Sequence, residues 1–197
     1  APFAERVRAC QAAVARARDA CGTGTVYAPS LVGTPRRLAE QARIALDAGI
    51  RMVLIAPMLV GIPAFVEFVE QFPELAILAH PAFGGAGRIN PAWLFGRFFR
   101  LLGADAIIFP NYGGRFSYDR QRCLDLVAAA RASWSGIRPA LPVPAGGMSL
   151  ERTSEIVGLY GDDVMLLIGG ALLTAGDALE ERSRDFVRAI KAGSTAA

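Results

Sequence analysis

The sequence LGADAIIF, at residues 102–109, contains the pattern from which the fold class is predicted. Its first half ends a predicted helix with Gly103, because glycine most readily adopts the left-handed conformation of a helix C-terminus. Its second half is an unbroken apolar run, and such runs are typical of parallel strands that are covered on both faces. A helix that ends in glycine directly before an apolar strand indicates a parallel α/β protein.

The same unit recurs on both sides of this stretch, with DAG at residues 47–49 and YGD at residues 160–162. Predicted strands cover residues 25–29, 52–56, 76–80, 106–109, 140–144 and 164–168. Predicted helices cover residues 3–21, 35–48, 64–72, 92–102, 118–133, 150–160 and 175–192. The alternation predicts an α/β fold, a (β/α)₈ TIM barrel whose sequence is entered after its second strand. An open, doubly wound sheet is the alternative.

The amino-acid composition is typical of a globular domain. The chain has 197 residues, of which 53% are apolar and 20% charged, as in globular domains. We expect one domain at residues 1–192 and a flexible tail at residues 193–197. The longest apolar run is interrupted by Pro57, Gly61 and Pro63 and is shorter than the roughly 20 residues of a membrane span. Scattered arginines and a net charge of +3 do not indicate a nucleic-acid partner.

The cysteines, Cys10, Cys21 and Cys123, form no CxxC pair and suggest neither a zinc site nor a disulfide. Unpaired thiols fit a reducing compartment, so a cytoplasmic location is expected.

Glycine pairs follow the last two predicted strands. Gly146-Gly147 and Gly169-Gly170 lie where a barrel of this type places its catalytic face and its phosphate site. Without a Cβ, their N–H groups can approach an anion closely, and a following helix N-terminus adds favourable dipole charge. A Gly-Gly pair alone is often only a turn, but two pairs at consecutive strand ends predict phosphate binding.

Three other side chains are candidate catalytic residues. His80 ends a predicted strand and is suited to proton transfer or to polarising a carbonyl, although a lone histidine is often structural. Asn111 follows the next strand and offers an amide to a substrate oxygen. Arg115 lies in a glycine-hinged loop, which is either an ordinary connection or a closing lid over an anionic substrate. Asp162 and Asp163 lie at the opposite strand end, so we interpret them as structural and predict no metal site in this chain.

Several ordered motifs resemble the RuBisCO large-subunit superfamily. The sequence LPVPAGGM at 141–148, YGDDV at 160–164 and LIGG at 167–170 is similar to the end of that family's barrel. His80-Pro81 resembles the end of its fifth strand, and residues 102–116 resemble its sixth strand and mobile loop. The resemblance covers nearly the whole chain. It implies that strands three to eight are present, while the first two strands and an N-terminal domain are missing.

The departures from that family indicate a RuBisCO-like protein (form IV) rather than a carboxylase. Arg115 stands where the family's mobile loop has a lysine, and Pro81 replaces a phosphate-binding arginine. Ile108 replaces a histidine, Ala145 a serine and Ala171 a glycine. The five changes together argue against carboxylation, and the loss of the arginine at Pro81 implies a substrate with one phosphate rather than two.

The resemblance implies an enolase, isomerase or decarboxylase that enolises a phosphorylated sugar or sugar acid and fixes no CO₂. It also implies a homodimer and a Mg²⁺ ion whose ligands lie upstream of this chain. One alternative is a catalytically inactive phosphosugar-binding or scaffold protein. Another is an incomplete barrel that is stable only through association at its exposed strand edges.

Overall fold

A parallel sheet forms the centre of the molecule, seen here in a computed structural model that describes residues 1–22, 24–114, 116 and 118–194. Its strands are β1 (Met52–Ile55), β2 (Ala76–Ala79), β3 (Ala106–Pro110) and β4 (Leu141–Ala145), and they follow one another in the order β1-β2-β3-β4. All pairs are parallel, with Val53 opposite Ile77, Ala79 opposite Ile107, and Ile108 opposite Val143. The predicted parallel α/β organisation is therefore confirmed.

Helices connect the strands. The α-helices are α1 (Phe3–Cys21), α2 (Pro35–Asp47), α3 (Pro57–Val60), α4 (Ile62–Gln71), α5 (Phe99–Leu101), α6 (Arg120–Arg131), α7 (Thr153–Tyr160), α8 (Gly170–Leu173) and α9 (Leu179–Ser194). A π-helical segment, Ala92–Phe98, leads into α5, and 3₁₀ turns at Leu150–Arg152 and Gly176–Ala178 precede α7 and α9. The last helix continues two residues beyond its predicted end, and residues 195–197 lie outside the described residues.

Two predicted strands, at residues 25–29 and 164–168, are wrong as strands. After the first of these segments, Ser30 forms an isolated bridge with Leu54 of β1. The Leu54 N–H donates to the Pro29 carbonyl, and the Leu54 carbonyl accepts from the Leu31 N–H. On the other side, Met165 and Leu167 donate to carbonyls of β4, but the residues there are prolines. A proline has no N–H to return a ladder bond, so the pairing is reduced to an isolated bridge.

The two faces of the sheet are covered differently. Side chains such as Ile77, Ile107 and Phe109 join the helices in one large core. The alternate side chains, including Leu78 and Ile108, form a smaller cluster made only of residues from β1 to β4 and residues 165–167. Among the described residues, helices therefore contribute to one face alone. Sequential strand order with a single helical layer is typical of a βα barrel and contradicts the doubly wound alternative.

In the part of the chain that the structure describes, no helix combines the length and the apolar character that crossing a bilayer requires.

Candidate functional site

The carboxyl ends of the strands surround a cavity of about 890 Å³. Six residues that the sequence singled out line it: His80, Asn111, Gly146, Gly147, Gly169 and Gly170. The volume is in the range of small-molecule sites. The structure thus brings these candidates together. The remaining candidate, Arg115, lies outside the described residues.

His80 continues the ladder beyond β2, since its N–H donates to the carbonyl of Ile55 at 2.8 Å. Its Nδ1 accepts a hydrogen bond from the N–H of Ala82 at 3.1 Å. In a neutral ring, the other nitrogen, Nε2, then carries the proton. Burial lowers the pKa of His80, which favours the neutral form. Of the two predicted roles, this tautomer favours polarising a substrate oxygen over accepting a proton.

Asn111 is completely buried. Its Oδ1 accepts a hydrogen bond from the Tyr160 hydroxyl at 2.6 Å, and its backbone N–H donates to Ala145 at 2.9 Å. Its Nδ2 has no hydrogen-bond partner among the described residues. Burial raises the pKa of Tyr160, so the phenol remains a donor. These bonds turn the amide oxygen toward α7, and the predicted contact of Asn111 with substrate stays a prediction.

The Gly146-Gly147 turn is held tightly by the loop that follows β3. Both glycines have positive φ, 86° and 65°. A Cβ on Gly147 would lie 2.7 Å from the backbone nitrogen of Gly114 and 2.9 Å from the carbonyl oxygen of Gly113. No side chain fits there, so protein packing by itself requires glycine at residue 147.

The Gly169-Gly170 pair lies in open surroundings. A Cβ on either residue would meet no described protein atom within 4 Å, and Gly169 has a negative φ of −120°. Neither packing nor backbone conformation requires glycine at these positions. The helix that follows, α8, has only one turn, so the dipole contribution that the sequence suggested is small.

Apolar side chains cover the cavity near the end of β2, a feature that the sequence reasoning missed. Pro81, Ala82, Phe83 and Phe95 line this part of the wall. Phe83 is 66% exposed and has a φ of +63°, which is unusual for a bulky residue. The sequence alone does not show whether apolar residues in a loop line a binding cavity or pack in the core. The structure is needed to identify these four as cavity-lining residues.

Arg152 is a second lining residue that the sequence did not reveal. Its Nη1 donates to the carbonyls of Gly147 and Tyr112, at 2.8 and 3.2 Å, and its Nε pairs with Glu155 at 3.2 Å. The Arg-x-x-Glu spacing signals the helical ion pair, but nothing in the sequence signals the contact with Tyr112, forty residues away.

Magnesium ligands were expected upstream of this chain. The described residues contain no group of three or more His, Cys, Asp or Glu side chains that could hold a metal ion. Asp162 and Asp163 are exposed and do not line the cavity. The described residues therefore do not form a magnesium site by themselves.

Comparisons with known proteins agree with this geometry, although no protein-family model matches the chain. The chain is 50% identical over 190 residues to 5-methylthioribulose-1-phosphate isomerase of Rhodospirillum rubrum, covering 96% of this chain and 51% of that protein. It is 30% identical over 178 residues to 2,3-diketo-5-methylthiopentyl-1-phosphate enolase of Geobacillus thermodenitrificans, covering 87% of this chain and 43% of that protein.

A solved structure shows the same fold. The crystal structure of a Rubisco-like protein from Rhodopseudomonas palustris superposes with a TM-score of 0.88 and 44% identity, covering 96% of this chain and 51% of that one. The chain thus spans about half the length of the curated relatives it matches. The order of its strands, the glycine turns at their ends and these likenesses agree, and the chain belongs to the RuBisCO-like proteins.

Proposed function

We propose that the protein enolises a phosphorylated ketose without fixing CO₂, and that 5-methylthioribulose 1-phosphate is its substrate in an isomerase reaction. The observation that carries the proposal is the mixed lining of one cavity, whose wall contains both glycine turns and apolar side chains. We propose that one end of the substrate lies at the glycine turns after β4 and after residues 164–168, and the other end at the apolar residues after β2. A phosphate group and a methylthio group differ in polarity in the same way. The name of the Rhodospirillum rubrum relative supports the choice of substrate.

The phosphate would lie at the end formed by Gly146, Gly147, Gly169 and Gly170. Backbone N–H groups at such turns bind anions without the entropy loss of ordering long side chains. The open space beside Gly169 and Gly170 leaves room for phosphate oxygens. Binding at this end would anchor the substrate and orient its reacting carbons.

The methylthio end would lie against Pro81, Phe83 and Phe95. These residues follow or face the end of β2, which is two strands away from β4 in the sheet. Two interstrand spacings amount to about 10 Å. That separation is comparable to the length of an extended five-carbon phosphate ester, so one substrate molecule can reach both ends.

His80, which follows β2 and precedes Pro81, would donate from Nε2 to the substrate carbonyl oxygen. Such a donor stabilises the negative charge that develops on oxygen as an enediolate forms. We propose that Mg²⁺, held by residues outside this chain, would supply Lewis-acid stabilisation of the same charge. Its ligands, the first two barrel strands and an N-terminal domain would belong to the part of the relatives that this chain does not span.

Carboxylation of ribulose bisphosphate is disfavoured by the inner wall. Ile108 is buried in the apolar cluster with Val143, and Ala145 packs against them. Pro81 occupies the position next to His80. None of these side chains can bind a second phosphate, in agreement with a substrate that has one.

The test uses the intact protein with Mg²⁺ and 5-methylthioribulose 1-phosphate in D₂O. We expect deuterium to enter the carbon next to the carbonyl and an isomeric product to appear in NMR spectra, and EDTA should stop both. Ribulose bisphosphate with labelled CO₂ is the negative control. Absence of both exchange and product would contradict the proposal.

An inactive phosphosugar-binding or scaffold protein is the second candidate. The replacements at Pro81, Ile108 and Ala145 favour it, because they remove polar groups from the cavity wall. Tight binding of 5-methylthioribulose 1-phosphate without any deuterium exchange would support it. We propose a homodimer for either function, which the molecular mass in solution would test.

A further inference from the structure

Arg152 joins two loops at the edge of the cavity. Its Nη1 donates to the carbonyl of Tyr112 at 3.2 Å, in the loop after β3, and to the carbonyl of Gly147 at 2.8 Å, in the loop after β4. The side chain is 26% exposed. A single guanidinium nitrogen therefore fixes the distance between the two loops.

The guanidinium is itself held in place by two neighbours. Glu155 Oε2 accepts from Arg152 Nε at 3.2 Å, while Glu155 Oε1 accepts from the Tyr112 hydroxyl at 2.5 Å. The guanidinium carbon lies 4.8 Å from the centre of the Tyr112 ring. The hydrogen bond from Tyr112, with a further contribution from Arg152, lowers the pKa of Glu155 and keeps it ionised. Tyr112, Arg152 and Glu155 form a closed ring of contacts, which we call the clasp.

The clasp acts on a turn that has little freedom to move by itself. A Cβ on Gly113 would lie 2.6 Å from Arg152 Nη1, and one on Gly114 would lie 3.2 Å from the Gly147 nitrogen. The two loops are therefore in backbone contact beside the guanidinium. A shift of either loop would reorient the N–H groups of Gly146 and Gly147.

We infer that Arg152 is a positioning residue that orients the Gly146-Gly147 turn for phosphate binding. The inference rests on the proposed function, because it assumes that phosphate binds at this turn. Arg152 acts through the Gly147 carbonyl: Nη1 donates to both carbonyls, while Nε of the same planar group donates to Glu155 and holds its orientation. Lysine keeps the charge but has no such planar group.

A purely structural role makes a different prediction. If Arg152 only stabilised the fold, its loss would lower the free energy of unfolding but leave the phosphate affinity of the folded molecules unchanged. A positioning role changes the affinity of folded molecules. Phosphate binding stabilises the bound substrate and the transition state to the same extent. Weaker phosphate binding should therefore raise KM and change kcat little.

The experiment compares Arg152→Gln, Arg152→Lys and the control Arg184→Gln in the intact protein. Arg184 makes an exposed ion pair with Glu180 on α9, far in sequence from the clasp. Calorimetry with inorganic phosphate should show a dissociation constant that is about tenfold higher for Arg152→Gln, with partial recovery in Arg152→Lys and no change in the control. KM for 5-methylthioribulose 1-phosphate should follow the same order.

Tyr112→Phe provides a second test should Arg152→Gln fail to fold. It removes the bond to Glu155 but keeps the carbonyl contact, so we expect a rise of about twofold in the phosphate dissociation constant. Wild-type affinity in both Arg152→Lys and Tyr112→Phe would overturn the inference and leave the proposed function intact. If the wild-type protein itself bound no phosphate, the proposed phosphate site would fail, and the inference with it.

Discussion

The two glycine pairs at the ends of β4 and of residues 164–168 have the same sequence but different surroundings. Gly147 is enclosed by the backbone of Gly113 and Gly114, and its φ is positive. Gly169 and Gly170 have open space where a Cβ would be. The first pair is required by the fold, whereas the second has no structural requirement among the described residues. Contacts within the described residues therefore explain why the first pair is glycine but not why the second pair is, and the two pairs should respond differently to substitution.

The largest effect is expected for Gly147→Ala. The new Cβ would collide with backbone atoms at 2.7 to 2.9 Å in a residue with φ near +65°. We expect a loss of about 3 kcal/mol in the free energy of unfolding, measured by chemical denaturation of the intact protein. A loss below about 1 kcal/mol would show that the two loops separate easily and would weaken the distinction between the pairs.

Gly146→Ala should have an intermediate effect. Gly146 has a φ of 86°, but the methyl group of an alanine there would meet no described atom within 4 Å, so only backbone strain opposes the substitution. We expect a loss of about 1–2 kcal/mol in the same denaturation measurement. Equal losses for residues 146 and 147 would mean that strain, rather than contact with Gly113 and Gly114, makes glycine necessary in this turn.

Gly170→Ala should leave stability almost unchanged. Alanine meets no described atom there, and residue 170 begins α8. The free energy of unfolding should change by less than about 0.5 kcal/mol. Phosphate affinity, measured by calorimetry, should fall about tenfold because a methyl group would occupy space proposed for phosphate oxygens. Wild-type phosphate affinity in this variant would remove the argument for the second pair.

His80→Gln changes the cavity wall at the end of β2, away from the proposed phosphate site. Phosphate affinity should stay as in the wild type, while turnover falls.

Burial lowers the pKa of His80 from its ordinary value of 6.5, so the unfolded state binds more protons as the pH falls below that value. The free energy of unfolding of the wild-type protein should therefore fall as the pH is lowered through this range, and that of His80→Gln should fall slightly less. Thermal unfolding between pH 7 and pH 5 measures the difference.

Much of the fold followed from local sequence patterns. Continuous apolar runs predicted β1 to β4 and their parallel order, and helices that end in glycine precede β1 and β3. The segment at residues 164–168 has the same apolar pattern but forms only a bridge, since its neighbours Pro142 and Pro144 lack N–H groups. A strand prediction made from one segment alone cannot take into account whether the adjacent strand has backbone N–H groups to donate.

The site was predictable only in part. Strand ends located His80, Asn111 and the glycine pairs, because parallel strands bring their carboxyl ends to one edge. The contact between Arg152 and Tyr112 was not predictable, since it joins residues forty positions apart through a backbone carbonyl. The tautomer of His80 likewise depends on where the loop returns the N–H of Ala82.

The substrate and its orientation in the cavity can be tested by a crystal structure of the intact protein with 5-methylthioribulose 1-phosphate. We expect phosphate oxygens about 2.7–3.2 Å from backbone nitrogens of both glycine pairs. We also expect the sulfur end against Pro81 and Phe83, with His80 Nε2 facing the substrate carbonyl. A phosphate bound away from both glycine pairs, or a reversed substrate with its sulfur beside them, would contradict the proposal.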